Sequence, residues 1–266
     1  MPVHREDQIY YLTSESLQEA KIPHAFIMRH GGVSPAPWES LNVGGGVGDA
    51  PERVIENRYR TFRALGRDPD SIFDVWQVHG SDVVCTKSPR LKDKPYLKAD
   101  AILTDATHVT LFMRFADCVP ILLCDPYRQI IGIVHAGWKG TLNHCVANAI
   151  DTMVAQYHSQ PTNILAVVGP SICAKHYEVG SEIIHAVENV FGDEAMAVLP
   201  DGEGGLPAGK AYFDLWQANR LILERSGVRN IEITGICTVC HNQDWFSHRA
   251  EKGQTGRFGV LIGQKV

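Results

Sequence analysis

The chain has 266 residues, of which 44% are hydrophobic and 21% charged, with a formal net charge of −5. This composition is ordinary for a globular protein with a full core, and an acidic chain without a basic run argues against nucleic acid as a partner. The N-terminus lacks the apolar stretch of an export signal, and no run of about 18 apolar residues follows. We therefore expect a cytoplasmic protein with no membrane partner, whose seven cysteines are reduced.

A strand and a glycine-rich loop come first in the chain. Residues 22–27 are mostly apolar and predict a strand. Residues 40–49 contain Asn42 and the triplet Gly44–Gly46, and glycines let a backbone turn tightly or approach a ligand closely. Because neither common phosphate-binding glycine motif is present, the segment is either a ligand loop or a plain connection.

A helix is predicted after this loop. Asp49 and Glu52 have the spacing of a capping box, and Gly66 follows as a stop signal after Leu65. Apolar residues at helical spacing predict the buried face: Ile55, Tyr59 and Phe62. Arg58 lies at the edge of this face, as a solvated side chain or as a ligand for an anion.

The middle of the chain predicts paired strands. Residues 71–84 alternate as in a strand pair, with a tight turn at 79–82 that contains His79. Residues 101–103 and 109–114 predict two further strands.

A β-hairpin is predicted next, from residues 119–124 and 130–134 with a turn at 125–128. With this loop, Cys118 pairs with His135 at the open end of the hairpin. Opposed residues of a ladder have Cβ atoms roughly 4.5–5.5 Å apart, so one metal ion could bind both side chains.

The second half of the chain predicts helices at 141–157, 181–191 and from a cap at 214 to 226, and strands at 164–168 and 230–236. The pair Lys139-Gly140 directly precedes the first of these helices. A helix N-terminus carries free N–H groups and a partial positive charge, so an anion is favoured there. We found no internal repeat and no long linker, which favours one domain over residues 1–266.

The C-terminal part contains Cys237 and Cys240 in a Cys-x-x-Cys spacing, followed by His248. This spacing suggests a zinc knuckle or a redox dithiol. A zinc knuckle needs a second ligand pair, and a redox dithiol opens a helix. The sequence shows neither, and the roles of Cys237, Cys240 and His248 stay open.

His79, Cys118 and His135 together form a three-ligand set with an open fourth position, the pattern of catalytic zinc. Thiolate and imidazole ligands suit zinc and also copper, and zinc lowers the pKa of a bound water to about 7. Cys118 could instead be a core cysteine, or a nucleophile paired with His135 without a metal. Spacing alone leaves these interpretations open.

Six separated motifs resemble the YfiH/YlmD family in order and spacing: Gln77-Val78-His79-Gly80, Ala116-Asp117-Cys118, His135-Ala136-Gly137-Trp138-Lys139-Gly140-Thr141, Gly169-Pro170-Ser171-Ile172, Tyr177-Glu178-Val179-Gly180 and Phe246-Ser247-His248-Arg249. The resemblance extends from about Ile22 to the C-terminus. This family was long labelled polyphenol oxidase or laccase and includes FAMIN-like purine nucleoside phosphorylases.

The resemblance implies an α/β (α+β) fold, a layered α-β-β-α sandwich like the catalytic domain of cytotoxic necrotizing factor. It also implies that His79, Cys118 and His135 bind zinc. The implied activity is zinc-dependent phosphorolysis of adenosine, inosine and methylthioadenosine, together with adenosine deamination. The expected partners are then a small-molecule purine nucleoside and phosphate, and the oligomeric state, including a homo-oligomer, is left open.

These expectations assign roles to individual residues. Besides the three metal ligands, Asp117 is a candidate catalytic residue that transfers protons or orients His135, although a salt-bridge role is equally compatible. Four residues are candidates for phosphate or substrate contacts: Arg58, Lys139, Asn42 and Arg249.

Alternatives remain. Bacterial members of the family are also called peptidoglycan editing factors, which suggests a hydrolase of amino-acyl cell-wall precursors with Cys118 as nucleophile. A copper polyphenol oxidase is disfavoured, because none of the twelve histidines is followed two residues later by another, as in the His-x-His motifs of multicopper oxidases. A non-catalytic metal or nucleoside binder is a third class. The usual zinc deaminase signature is also absent.

Overall fold

The computed structural model describes residues 1–91, 93–200 and 206–265. The strands are β1 Val3–Glu6, β2 Ile9–Leu12, β3 His24–Ile27, β4 Ile72–Phe73, β5 Val83–Cys85, β6 Ala101–Thr104, β7 Thr110–Phe115, β8 Val119–Asp125, β9 Ile130–Ala136, β10 Leu165–Val168, β11 Glu178–Gly180, β12 Lys210–Tyr212, β13 Asn230–Ile233 and β14 Phe258–Gly263. The α-helices are α1 Glu15–Glu19, α2 Pro51–Ala64, α3 Trp138–Leu142, α4 Cys145–Tyr157, α5 Ser181–Phe191, α6 Ala195–Val198 and α7 Leu215–Arg225.

Two six-stranded sheets dominate the described residues. The first sheet has the strand order β1-β2-β3-β14-β7-β4, and the second has the order β13-β10-β8-β9-β6-β5. Strands β11 and β12 form a separate two-stranded sheet. The predicted mixed α/β class is confirmed.

Three groups of buried side chains show how these elements pack. One group joins the two sheets and includes Phe26 and Met113 of the first sheet and Leu122 of the second. A second group joins the other face of the second sheet to helices that include α4, α5 and α7. A third joins the other face of the first sheet to α2, where Phe62 contacts Phe112. This packing supports the layered order and the single domain over 1–266, which stay predictions.

The predicted hairpin of β8 and β9 is present, but its register differs by two residues. Pro120, rather than Cys118, pairs with His135. Asp125 is the last residue of β8 instead of the first turn residue, because its carboxylate accepts the backbone N–H groups of Tyr127 and Arg128. A shift of two residues leaves every side chain on its original face of the sheet, so Cys118 and His135 still approach each other.

The predicted strand pair within 71–84 is wrong. Strand β4 joins the first sheet beside β7, and β5 joins the second sheet beside β6. The connection between them crosses from one sheet to the other. Its turn N–H groups, from Val78 to Gly80, donate to the Asp100 carboxylate instead of closing a hairpin.

Helix α2 is present but differs from the prediction at its start and on its buried face. Asp49 is not its cap, because the Asp49 carboxylate accepts hydrogen bonds from Ser34 and Asn42 and the N-cap is Ala50. Ile55 is 68% exposed and Tyr59 is 50% exposed. The buried face is partly polar because Asn57 satisfies backbone groups of the preceding loop, and its residues are Val54, Asn57, Thr61 and Phe62.

The predicted helix at 141–157 is two helices. The chain adopts a left-handed conformation at His144, with φ of 58°, between α3 and α4. The predicted anion-binding helix start after Lys139 is therefore wrong, because Lys139 lies inside the five-residue helix α3. The helix at 181–191 and the Asp214 cap of α7 are confirmed.

Candidate functional site

The three predicted metal ligands lie together at the ends of strands of the two sheets. His79 comes from the connection between β4 and β5, Cys118 directly precedes β8, and His135 is near the end of β9. Their ligand atoms, two imidazole nitrogens and one sulfur, all lie within 4.8 Å of one another. The rings of His79 and His135 meet edge to face, with centroids 4.9 Å apart.

A buried carboxylate, Asp100, orients this group. Its Oδ1 accepts a hydrogen bond from His135 Nδ1 at 2.8 Å and from the backbone N–H of His79 at 3.0 Å. Its Oδ2 accepts the N–H of Gly80 at 2.6 Å. Burial alone raises the pKa of Asp100, but its bonds and the charge of His135 outweigh this and lower the pKa. With Nδ1 held by the carboxylate, His135 has Nε2 free for a metal.

Sequence reasoning missed Asp100. The residue stands one position before the apolar strand β6, and no motif spacing links it to the histidines. The available signal was an acidic residue directly before a fully buried strand. Such a residue needs partners, because a buried charge is costly unless it is paired and hydrogen-bonded.

Cys118 and His135 are electrostatically paired. Burial by itself raises the pKa of Cys118, but the charge of His135 and hydrogen bonds from His135 and His79 lower it to about 6. Burial lowers the pKa of His135, but the charge of Cys118 and the bond to Asp100 raise it to about 9. The lowered pKa favours the thiolate form of Cys118, the form that binds metals and attacks electrophiles.

The donor set fits a divalent metal ion. Two imidazoles and one thiolate suit zinc, and three protein ligands leave a position for another molecule. The Asp100 carboxylate on His135 matches the outer-shell partner that metal-binding histidines usually have. His79, Cys118 and His135 would hold the ion.

All three residues line a cavity of about 770 Å³, a volume typical of small-molecule sites. Of the other predicted site residues, Arg58, Asp117 and Arg249 also line it. Part of the wall is aromatic or aliphatic and offers flat apolar surfaces: Trp76, Tyr96, Trp138, Ile172, Tyr177 and Leu215.

Asp117 lies beside Cys118 in a left-handed conformation, with φ of 80°, and is largely buried. Its Oδ1 accepts a hydrogen bond from Thr238 Oγ1 at 2.7 Å, and its Oδ2 accepts the backbone N–H of Arg249 at 2.6 Å. The predicted role of orienting His135 belongs to Asp100 instead. Through these two hydrogen bonds, Asp117 holds the C-terminal segment against the cavity wall.

Positive charge accumulates on one side of the cavity. Arg58 and Arg114 both line it and lie 3.8 and 3.1 Å from the carboxylate of Asp74, which Arg90 also contacts at 2.7 Å. Three guanidinium groups around one buried carboxylate leave a net positive charge. An anion entering the cavity would be attracted to this side.

Arg257 adds a further cation that sequence reasoning missed. Its guanidinium donates to the backbone oxygens of Thr255 and Gly256, and within the described ranges no carboxylate lies at ion-pair distance from it. Burial lowers its pKa, which the negative charges of Cys118 and Asp117 partly offset. A side chain on Gly44 would collide with Arg257 at 2.7 Å from its Cγ, so the glycine loop makes room for this arginine.

Two predicted contact residues do not line the cavity. The Asn42 side chain is occupied, because it accepts the N–H groups of Gly44 and Arg257 and donates to Asp49. Asn42 therefore shapes the loop rather than meeting a ligand. Lys139 is exposed, with its Nζ 5.3 Å from the centre of the Trp138 ring. The structure does not support a ligand contact from either side chain.

Residues 23–265 match the model of a family described as multi-copper polyphenol oxidoreductase laccase. A purine nucleoside phosphorylase of Deinococcus radiodurans is 39% identical over 243 residues, which cover 91% of this chain and 89% of the relative. The purine nucleoside phosphorylase YlmD of Bacillus subtilis is 36% identical, covering 90% of this chain and 87% of the relative. The crystal structure of YlmD from Geobacillus stearothermophilus is similar with a TM-score of 0.90, at 31% identity and 99% coverage of both chains.

Proposed function

This chain belongs to the YfiH/YlmD family, whose model is described by the name laccase, and from this premise we propose that it is a purine nucleoside phosphorylase. One observation carries the proposal. A single cavity contains three side chains that can bind a metal ion, and aromatic side chains with flat faces form part of its wall. One side of the cavity is rich in arginines, whose charge the nearby carboxylates do not fully neutralise. These are the features needed to hold a nucleoside and phosphate together.

In phosphorolysis, the bond between the ribose C1′ and the purine nitrogen breaks, and a phosphate oxygen forms a new bond to C1′. The purine leaves with a proton. Phosphate must therefore sit next to the ribose, with its charge balanced by cations. Arg58, Arg114 and Arg257 face the cavity and supply that charge, since guanidinium groups bind phosphate through two parallel hydrogen bonds.

The nucleoside would occupy the remaining cavity. A purine is planar, and aromatic side chains such as Trp138 and Tyr177 in the wall provide faces on which it can stack. Asp117 is the carboxylate proposed to move a proton at the base, because it lines the cavity and two hydrogen bonds fix its orientation. Arg249 would close the side of the cavity next to Tyr177, since its guanidinium lies 5.2 Å from that ring.

Zinc is the metal proposed for His79, Cys118 and His135, with copper as the alternative. When bound there, the ion supplies Lewis-acid polarisation of a substrate oxygen or a water. Adenosine deamination, in which water replaces the 6-amino group and ammonia leaves, is proposed as a second activity of the same cavity. Adenosine, inosine and methylthioadenosine are the proposed phosphorolysis substrates.

Product analysis tests the proposal. The purified protein is incubated with adenosine, with and without phosphate, and the products are separated. Adenine and ribose 1-phosphate that form only with phosphate would establish phosphorolysis, and inosine in either condition would establish deamination. If the protein retains metal and gives no purine product, phosphorolysis is refuted and a binder or a different hydrolase is favoured.

A matched pair of arginine variants tests the phosphate side. Arg257→Ala removes a cavity cation and should raise the KM for phosphate about 10- to 100-fold, since a charge-assisted hydrogen bond contributes about 1.5–3 kcal/mol. The KM for adenosine should change much less. Arg220→Ala is the control, because Arg220 is exposed and pairs with Glu224 on α7. Equal phosphate KM values in the two variants would exclude Arg257 from the phosphate site.

A thiol hydrolase acting on amino-acyl cell-wall precursors is a second candidate. The lowered pKa of Cys118 beside His135 favours it, because this pair resembles an activated nucleophile. Such an enzyme would retain activity after metal removal, and a substrate fragment would appear on Cys118 as a mass increase. A phosphorylase that needs the metal would lose activity and show no adduct.

Location and assembly remain predictions of the sequence. Within the described residues, no helix is both long and apolar enough to cross a membrane. The expected cytoplasmic location, the absence of a nucleic-acid partner and a homo-oligomeric state are open to fractionation, binding and sedimentation measurements.

A further inference from the structure

A second group of side chains that can bind a metal ion lies outside the cavity lining. It consists of Cys173, His176, Cys237 and Cys240, and we call it the Cys3His cluster. The Cys-x-x-Cys pair seen in the sequence therefore has a partner pair, a Cys-x-x-His, 64 residues earlier in the chain, counted from Cys173 to Cys237. Each pair contributes ligand atoms from positions three residues apart.

The sheet brings the two pairs together. Strands β10 and β13 are parallel neighbours, so the loops that follow them leave the sheet at the same edge. An isolated bridge between Ser171 and Cys237 continues this pairing beyond the strands. The N–H of Ser171 donates to the oxygen of Ile236, and the N–H of Thr238 donates to the oxygen of Ser171. Both loops are thereby fixed relative to each other immediately beside the four side chains.

The distances match a tetrahedral zinc site. His176 Nδ1 lies 3.4 Å from the sulfur of Cys173, 3.7 Å from that of Cys237 and 3.6 Å from that of Cys240. Zinc–sulfur bonds of about 2.3 Å and zinc–nitrogen bonds of about 2.0–2.1 Å in a tetrahedron place sulfur and nitrogen about 3.5 Å apart. All four ligand atoms lie within 4.8 Å of one another.

Hydrogen bonds alone do not account for this arrangement. Three sulfurs converge on one imidazole nitrogen, which can accept a single hydrogen or donate a single one. All three cysteines are free, so no disulfide explains their approach. The backbone N–H of Cys173 also points to the sulfur of Cys237 at 3.4 Å, a contact that stabilises a thiolate bound to a metal. One cation in the centre would engage all four ligands at once.

We propose that Cys173, His176, Cys237 and Cys240 bind a structural zinc ion, separate from the centre in the cavity. Binding would release three thiol protons to solvent and use the neutral lone pair of His176 Nδ1. Four protein ligands leave no open position, which is the pattern of a structural site, whereas the cavity centre has three. Three sulfurs with one imidazole favour zinc over magnesium or calcium, which prefer oxygen.

The proposed ion would hold part of the cavity wall. Ile172 and Tyr177, which flank the Cys-x-x-His pair, line the cavity. Thr238, inside the Cys-x-x-Cys pair, donates to Asp117, and the guanidinium of Arg249 donates to the backbone oxygen of His176 at 3.1 Å. The cluster thus connects the loop after β10, the loop after β13 and two cavity residues. Losing the ion should loosen this wall without removing any group of the cavity centre.

Metal counting on purified protein tests the proposal independently of the proposed phosphorylase activity. The wild-type protein, prepared with zinc and a reductant, should retain about two zinc ions per chain. His79→Ala/His135→Ala should retain about one, and so should Cys237→Ser/Cys240→Ser. The control is Cys85→Ser, which changes a free cysteine outside both groups and should retain about two. Zinc content in Cys237→Ser/Cys240→Ser equal to that of the wild type would overturn the proposal.

Cobalt spectroscopy provides the second measurement, which does not depend on the folding of the cysteine variant. His79→Ala/His135→Ala stripped of metal is titrated with Co²⁺ without oxygen. About one equivalent should produce the ligand-field bands of tetrahedral cobalt and a strong thiolate charge-transfer band. Absence of these bands would refute the site. A Cys237–Cys240 disulfide in the freshly isolated protein, detected as the loss of two hydrogens from the intact mass, would also refute it in favour of a redox pair.

Discussion

Replacing Asp100 by asparagine tests how the cavity centre is organised. Asp100 is fully buried and accepts four hydrogen bonds, from His135 Nδ1 and from the backbone N–H groups of Val78, His79 and Gly80. Asparagine has the same shape but only one oxygen. The NH2 group of the asparagine must therefore replace one of the two carboxylate oxygens. It then faces the N–H groups that donated to that oxygen in the wild type.

The two orientations differ in energy. If the NH2 faces Val78 and Gly80, two partly buried N–H groups lose their acceptor, at about 1–3 kcal/mol each. If it faces His135, the imidazole can shift its proton to Nε2 and accept from the amide, so that only the His79 N–H is unpaired. The second orientation is favoured, and the free energy of unfolding should fall by about 1–3 kcal/mol.

The favoured orientation also weakens metal binding, because Nε2 must lose its proton before it can be a ligand. Loss of an outer-shell partner typically lowers metal affinity about 10- to 100-fold. Competition with a chromogenic chelator measures this affinity, and thermal unfolding measures the change in stability. Because the Cys3His cluster is proposed to bind zinc too, the affinity is measured in the Cys237→Ser/Cys240→Ser background.

Asp125→Asn is the matched control. Asp125 is equally buried and accepts two backbone N–H groups, but it lies at the closed end of the β8–β9 hairpin, away from Cys118 and His135. Both N–H groups bond to Oδ1, which asparagine retains, so Asp125→Asn should change stability less than Asp100→Asn and leave metal affinity unchanged. If Asp100→Asn binds metal within about threefold of the parent protein, the orienting role of Asp100 is refuted.

Three further predictions concern the site and the fold. Gly137→Ala would place a Cβ 2.9 Å from the sulfur of Cys118. It should displace this sulfur and lower turnover about 100-fold. Gly180→Ala is the control and should leave turnover unchanged, because a Cβ at Gly180 meets nothing within 4 Å. Chelation followed by gel filtration should abolish phosphorolysis and added zinc should restore it, whereas full activity of metal-free protein would contradict the metal centre. Burial raises the pKa of Glu232, but hydrogen bonds from Ser16, Ser14 and nearby N–H groups outweigh burial and lower the pKa below 4.5. The stabilisation that the Glu232 carboxylate gives the fold is therefore present above pH 4.5. It is lost as the pH falls through the pKa of Glu232 in the folded protein. Glu232→Gln should therefore lower the free energy of unfolding by about 1 kcal/mol at pH 7 and by much less near pH 3, and a pH-independent difference would contradict this account.

Local patterns in the sequence correctly predicted several elements of the fold. The helix at 181–191 follows from its apolar spacing, and the start of α7 follows from Asp214, whose side chain accepts the N–H of Gln217. The turn residues Asp125 and Pro126 placed a hairpin correctly, although its register was off by two residues. Such features depend on residues within one turn or one strand, so the amino-acid order alone determines them.

The site was predictable in residue type but not in arrangement. His79 and Cys118 were selected by their chemistry and by the family resemblance, and the structure places them beside His135. Asp100, which contacts His135, and Arg257, which lines the cavity, were missed, because only the pairing of distant strands brings each of them to the site. Asn42 was wrongly predicted to contact a ligand for the same reason. Its side chain is hydrogen-bonded to Asp49 and to the backbone N–H of Arg257, and the contact with Arg257 forms only in the folded protein.

The amino-acid order determined which helices and strands could form and supplied the thiols and imidazoles. The tertiary structure alone decided which of them meet. Cys237 and Cys240 carry an incomplete motif in sequence, and they gain Cys173 and His176 only because β10 and β13 lie parallel and side by side. Metal binding requires ligand atoms within a few ångströms of one another. Cys173 and Cys237 are 64 residues apart in the chain. The folded sheet fixes the distance between them, whereas local helix and strand propensities do not.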